Sequence, residues 1–180
     1  MKSEGAPHKH LQKFHRWKNV HPPAVKVAAE LVESELVSTV LAEGFDFRSV
    51  RFGDPKDFVE RSEIHLERQN GDTIDYVTFS FAKYRRPSFQ VHFGKRKLDR
   101  EDFRFMGNLV RKPSQYYFFW CKPWWVPTVI WSDRCTRKSV QAASGALGQA
   151  FHFLKTGIRG PNIGKSIHEE KAPSQVSQSP

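Results

Sequence analysis

The chain has 180 residues, and its 29 Lys and Arg against 19 Asp and Glu give it a formal net charge of +10. That length suits one domain with its own core, and no apolar run approaches the roughly 18 residues of a membrane-spanning helix. Two cysteines, Cys121 and Cys135, stand at no metal-ligand spacing, so a reduced cytoplasmic setting is expected.

The charge is unevenly distributed along the chain. Residues 25–80 contain 6 basic and 12 acidic residues, whereas residues 81–140 contain 14 basic and 4 acidic ones. Such asymmetry indicates an anionic partner for one side of the molecule, unless the two halves neutralise each other across the fold.

The sequence predicts three segments. Residues 1–22 form a flexible, basic, His-rich arm without the apolar core of a signal peptide, residues 23–167 form a single α+β domain, and residues 168–180 form a disordered tail. The histidines of the arm lack the cysteine or carboxylate partners of a metal site, so we expect neither a metal nor a cofactor.

A helix is predicted over Ala24–Glu43, because Pro22-Pro23 suits a helix start and Gly44 suits its end. Its apolar residues recur at helical spacing and form a stripe that can cover a sheet.

Three antiparallel strands are predicted within residues 58–93. A two-residue turn at Asn70-Gly71 sets the first pairing, because both residues tolerate the positive φ that a tight hairpin turn requires. The alternation gives one apolar face and one polar face, as in a half-buried sheet. The pairs expected on the apolar face are Ser62–Phe79, Ile64–Val77, Leu66–Asp75, Phe81–Phe89, Phe79–Val91 and Val77–Phe93.

Further elements follow the third strand. The patterns predict a short helix over Leu98–Asn108, a fourth strand over Tyr116–Cys121, a brief strand at Val129–Trp131 and a slim helix over Thr136–Gly157. The fold class is therefore α+β, with an antiparallel sheet of four to five strands and two main helices packed on one face.

Candidate catalytic residues lie on the polar face of the predicted sheet. The expected register places Glu63, Thr78 and His92 in one cross-strand row, and His65 with Tyr76 in the next, with Cβ atoms about 5 Å apart in a row. These groups could perform acid–base chemistry, although a solvated sheet surface carries the same residue types. No nucleophile elbow, phosphate loop or HExxH motif accompanies them.

Two basic clusters are candidates for binding nucleic acid or another anion. They lie at opposite ends of neighbouring strands, about 17–20 Å apart, and form two patches rather than one stripe. Charge that serves solubility is the alternative explanation, and it is favoured over nucleic-acid binding. Their members are Lys83, Arg85, Arg86, Lys95, Arg96 and Lys97.

An aromatic segment is the candidate surface for a protein partner. Trp124 and Trp125 stand between prolines, and aromatic residues are enriched at interface hot spots, although a core position is the favoured use for them.

The order of elements resembles a family of small bacterial α+β domains of unknown function. The residues that carry this resemblance are the Gly44-Phe45 pair after the first helix, the strands at 75–81 and 89–94, and a chain end of the type Phe153-Leu154 with Gly157-Ile158. The resemblance covers about residues 25–160 and implies the fold and a bacterial or phage origin. It implies no catalytic residues.

These observations favour a non-enzymatic binding protein that recognises a protein partner, as an immunity-type or accessory module does. The alternative is a nucleic-acid-binding protein that uses the basic 83–112 segment. A third hypothesis is an enzyme that uses the sheet face of His65 and His92. No membrane partner is expected.

Overall fold

The computed structural model describes residues 23–51, 62–82, 87–98, 107–111, 118 and 128–165. Six strands form one open antiparallel sheet, and each strand pairs with its neighbours in sequence. The strands are β1 (Asp46–Arg51), β2 (Ser62–Asn70), β3 (Thr73–Phe81), β4 (Phe89–Lys97), β5 (Gly107–Leu109) and β6 (Ile163–Lys165). The predicted α+β class is confirmed, with six strands in place of four or five.

The helices comprise a continuous N-terminal helical stretch and one long helix. The stretch runs through α1 (Pro23–Leu31), a π-helical segment (Val32–Val37) and α2 (Ser38–Ala42), and the long helix is α3 (Thr128–Thr156). The helix predicted from Ala24 is confirmed, and Gly44 follows it with a φ of +84°, a conformation that favours glycine at a helix end. Within the described ranges, no helix combines the length and apolar character needed to cross a bilayer.

The core lies between these helices and the apolar face of the sheet. Val32 and Leu36 from the N-terminal stretch and Val140 and Leu147 from α3 are fully buried in one cluster with sheet residues. The sheet contributes alternate residues of each strand, which is why a period of two in the sequence identified this face. These residues are Ile64, Leu66, Val77, Phe79, Phe81, Phe89, Val91 and Phe93.

The pairing of β3 with β4 is as predicted, but the pairing of β2 with β3 is shifted by two residues. Ile64 faces Phe79 rather than Val77, and the two turn residues are Gly71 and Asp72, closed by the pair of Asn70 with Thr73. A positive φ of +63° occurs at Gly71. A shift of two keeps every side chain on its predicted face, so the face assignment is correct although the partners are not.

The predicted start of the last helix is wrong. α3 begins at Thr128, immediately after Pro127, and therefore includes residues 129–131, which were expected to form a strand. The β-branched and aromatic residues there favour a strand in isolation, but proline before the first helical turn is also a helix-start signal.

Three strands were not predicted, and for two of them the reason is that three residues are too few to show a period of two. β1 pairs with β2 through an irregular register at Phe47/Ser49, and β5 and β6 contain three residues each. Gly107 and Asn108 therefore lie in a strand, not in the predicted helix. Of the predicted strand at 116–121 the structure describes Phe118, whose buried ring stacks on Phe89.

Candidate functional site

The polar sheet face brings three of the four candidate catalytic residues into one row. His65 pairs with Thr78, and Thr78 pairs with His92. Glu63 lies in the adjacent row opposite Ser80, so the predicted row of Glu63 with Thr78 is wrong because of the two-residue shift. All four candidates share the face that the alternation assigned to them.

His65 joins a hydroxyl to a carboxylate. Its Nδ1 lies 2.6 Å from Thr78 Oγ1, and its Nε2 lies 3.1 Å from Glu67 Oε1. In the tautomer that carries the proton on Nε2, the ring donates to Glu67 and accepts from Thr78. Arg96 Nη2 donates to both Glu67 oxygens at 3.2 and 3.3 Å, and Arg48 Nε lies 3.7 Å from Oε2.

Burial sets the protonation of this network. Desolvation lowers the pKa of His65 and outweighs the hydrogen bond and charge of Glu67, which act in the opposite direction. Desolvation also raises the pKa of Tyr76 above its usual value, and its ring lies 5.7 Å from that of His65. At neutral pH the imidazole and the phenol are therefore both uncharged.

A hydroxyl, an imidazole and a carboxylate in sequence are the groups of a nucleophilic triad, but here they are not open to a substrate. The side chains of Thr78 and Ser80 belong to residues only 2% exposed, and Tyr76 is fully buried. Ser80 donates to Glu63 at 2.9 Å, and His92 Nε2 lies 3.2 Å from Gln90 Oε1. Most of these polar groups are hydrogen-bonded to one another, as buried polar groups in a structural network are, whereas Nε of Arg96 is buried without a hydrogen-bond partner among the described residues.

The basic residues at the end of β4 point to different faces. Lys95 Nζ lies 3.6 Å from Asp75 Oδ1 on the apolar side, Arg96 is held by Glu67 on the polar side, and Lys97 is exposed. The alternation of a strand thus divides this predicted cluster. The other candidate positions, Lys83, Arg85, Arg86, Trp124 and Trp125, lie outside the described residues.

The exposed side of α3 forms a second candidate site, which the sequence reasoning did not single out. Its members recur every three or four residues within an arc of roughly 100° at the helical 100° per residue. We call this surface the basic stripe, and it consists of Arg134, Arg137, Lys138, Gln141, Gly145, Gly148, His152, Lys155 and Thr156.

The basic stripe carries cations at both ends and no acidic residue. From residue 134 to residue 168 the sequence contains neither Asp nor Glu. Asp133 precedes the stripe and lies 3.6 Å from Arg137, while Arg159 follows α3 as an exposed cation. This acid-free run was visible in the sequence, but only the long helix shows that its cations share one side.

The composition of the basic stripe limits what it can bind. It contains no Phe, Tyr or Trp and no large aliphatic side chain, and its middle is occupied by Gln141, Gly145 and Gly148. A surface of this kind attracts anions without offering an apolar anchor. Among the described residues, no three His, Cys, Asp or Glu side chains are grouped as ligands of a metal ion.

Comparisons with protein-family models, with curated proteins and with solved structures give no match for this chain. The resemblance to small bacterial α+β domains therefore stays a prediction, and function must be argued from the two sites described above.

Proposed function

We propose that this chain is a non-enzymatic, cytoplasmic nucleic-acid-binding protein that contacts phosphates through the basic stripe of α3. The observation that supports this most directly is the acid-free, cation-bearing exposed side of a 29-residue helix. Phosphate contacts by Lys and Arg release condensed counterions, and this release supplies most of the affinity in sequence-independent binding.

A nucleic acid fits this surface better than an acidic protein does. The centres of protein–protein interfaces use aromatic, Met or Arg anchors in desolvated pockets, whereas protein–nucleic acid interfaces are polar and strongly basic. The basic stripe has the second composition. Recognition of a protein partner through Trp124 and Trp125 stays a prediction, because both residues lie outside the described part of the chain.

The nucleic-acid interface that we propose differs from the 83–112 segment favoured by the sequence. Within that segment the described residues Lys95 and Arg96 face Asp75 and Glu67, and the Arg96 side chain is only 9% exposed. A guanidinium that is buried against a carboxylate cannot also neutralise a phosphate without breaking that pair. The cations of α3 are exposed, so a contact with a phosphate would not require breaking a buried ion pair.

The test is salt-dependent binding of a labelled oligonucleotide, measured by fluorescence anisotropy. Replacing Arg134, Lys138 and Lys155 by Gln should weaken binding at low salt and should lower the slope of log K against log salt by roughly 2–3, about 0.7–0.9 for each phosphate contact. Arg137 is left unchanged because it pairs with Asp133.

A matched control removes the same charge elsewhere. Lys26, Lys97 and Arg111 are exposed, and replacing these three by Gln also lowers the net charge by three. If the control weakens binding as much as the α3 variant, the stripe is not the interface. Equal salt-dependent binding of the wild type to poly-glutamate would point to an acidic protein and would overturn the proposal.

A further inference from the structure

We infer that the ligand of the basic stripe is a B-form DNA duplex and that the middle of α3 lies in its major groove. This inference rests on the proposed function and adds the form of the nucleic acid and the way it is held. It is carried by the distribution of charge and side-chain size along the stripe.

The cations form two groups at opposite ends of the stripe. Arg134, Arg137 and Lys138 lie in the first part of α3, and Lys155 lies in its last turn. At 1.5 Å per residue, the distance along the axis from Lys138 to Lys155 is about 26 Å. The stretch between the two groups is uncharged apart from the titratable ring of His152.

Cations at the ends and neutral residues in the middle are the arrangement expected of a straight helix that lies in the curved major groove of DNA. A helix can enter the major groove, which is roughly 12 Å wide and 8.5 Å deep, but it follows the groove only near its middle. Its two ends rise towards the phosphate rims as the groove turns away. Cations at the ends and neutral residues in the middle therefore face phosphates and base edges respectively.

The middle of the stripe is also slim enough to approach the groove floor. Gly145 and Gly148 are exposed, and a Cβ added at either position would meet nothing within 4 Å. Both glycines are weaker helix formers than alanine, and neither has a positive φ that would require glycine. The two glycines would allow another molecule to approach the α3 backbone closely. The cations on either side would then contact that molecule as well.

The same geometry separates duplex DNA from other nucleic acids. The major groove of A-form RNA is too narrow and deep for side chains to read, and single strands are bound by stacking their bases on aromatic side chains. The stripe has no Phe, Tyr or Trp to act as such a platform, and the ring of His152 stands alone near its C-terminal end. The amide of Gln141, beside the first group of cations, is suited to an adenine edge in the major groove.

The experiment compares three probes of one sequence with the full chain: a DNA duplex of about 20 base pairs, roughly two helical turns, its single strand, and the corresponding RNA duplex. We expect the DNA duplex to bind at least about tenfold more tightly than the other two, a ratio in the range of one base-level contact. Fluorescence anisotropy at one low salt concentration measures all three.

Two variants test the close approach. Gly145→Leu with Gly148→Leu adds bulk without charge and should weaken duplex binding about tenfold or more, whereas Gly145→Ala with Gly148→Ala should stay within about threefold of the wild type. Both pairs fit the fold, because the sites are exposed and unobstructed. Melting temperatures equal to or above that of the wild type verify this.

The outcomes distinguish a failure of the major-groove arrangement from a failure of nucleic-acid binding itself. If none of the three probes shows salt-dependent binding, the proposed function itself fails, and the inference fails with it. If all three bind equally, or if the leucine variant holds the duplex as tightly as the wild type, the groove-bound arrangement is wrong while phosphate binding by α3 stands.

Discussion

Arg68 Nη2 lies 3.0 Å from Oδ2 of Asp75, a carboxylate that is fully buried on the apolar side of the sheet. Arg68 Nη1 also donates to the Glu43 carbonyl oxygen at 2.7 Å, and the guanidinium lies 4.4 Å from the centre of the Phe45 ring. Lys95 provides a second cation at 3.6 Å. One arginine thus connects β2, β3 and the residues that follow α2, and it does so only in the observed register.

Replacing Asp75 by Asn should destabilise the protein by about 3 kcal/mol, because removing one partner of a buried ion pair leaves the others uncompensated. Urea denaturation followed by circular dichroism measures the loss. Asp72→Asn is the matched control, since Asp72 is exposed in the turn, and its effect should stay within about 0.5 kcal/mol. A loss at Asp75 no larger than that of the control would show that the pair does not hold the register.

The turn position gives a second prediction. Gly71→Thr should cost roughly 1–2 kcal/mol, because Gly71 has a φ of +63° and a β-branched residue is strained there. Asn70→Thr should cost less than Gly71→Thr, since Asn70 is the last residue of β2, where Thr suits a strand, and it gives up only a long hydrogen bond from Nδ2 to Asp75 Oδ2 at 3.4 Å. A turn centred on Asn70-Gly71 would instead make both substitutions costly, so comparing the two unfolding free energies distinguishes the registers.

The buried face of β2 gives a third prediction. Ile64 is 2% exposed within the core, and Ile64→Ala should cost about 2–5 kcal/mol through lost transfer energy and the cavity that remains. Gln69→Ala on the same strand is the control, because Gln69 is exposed. Chemical denaturation of both variants checks the assignment, and a cost below about 0.5 kcal/mol at Ile64 would contradict it.

The pH dependence of stability follows from His65. Its pKa in the folded protein lies below the ordinary histidine value of 6.5, so the unfolded chain binds more protons in the window below pH 6.5. Stability is therefore complete above pH 6.5 and declines as the pH falls through the folded-state pKa. The physical cause is burial of the ring between Thr78 and Glu67.

Thermal melts of the wild type and of His65→Gln, at about pH 7.5 and about pH 5.5, measure this contribution. The wild type should lose more stability on acidification than the variant, because glutamine can keep both hydrogen bonds and does not titrate. His152→Gln, on the exposed side of α3, should retain the wild-type pH dependence. Identical pH dependence in the wild type and His65→Gln would contradict the prediction.

Local sequence patterns were sufficient to predict the structure wherever the surroundings of a residue depend mainly on its position within its own helix or strand. The helix after Pro22-Pro23, the faces of β2, β3 and β4, and the pairing of Val77 with Phe93 were all predictable. The strands β5 and β6 were not predictable, because three residues are too few to show the alternation of a strand. Gly107 pairs with Lys165, which lies far along the chain. An added Cβ at Gly107 would come within 2.8 Å of the Phe93 ring.

The sequence by itself determined which residues of β2, β3 and β4 share a face, because the alternation of a strand is a local property. It did not determine that the polar face is also covered, since Tyr76, Thr78 and Ser80 on that face are buried. Only the tertiary structure decided which strand residues are partners. In the observed pairing Arg68 lies opposite the buried carboxylate of Asp75, which the predicted register would have placed opposite Leu66. A buried carboxylate is stabilised by oppositely charged partners, and the observed pairing adds Arg68 to Lys95 as a partner of Asp75. In the same way, the cations of α3 became one surface only when a continuous helix aligned them.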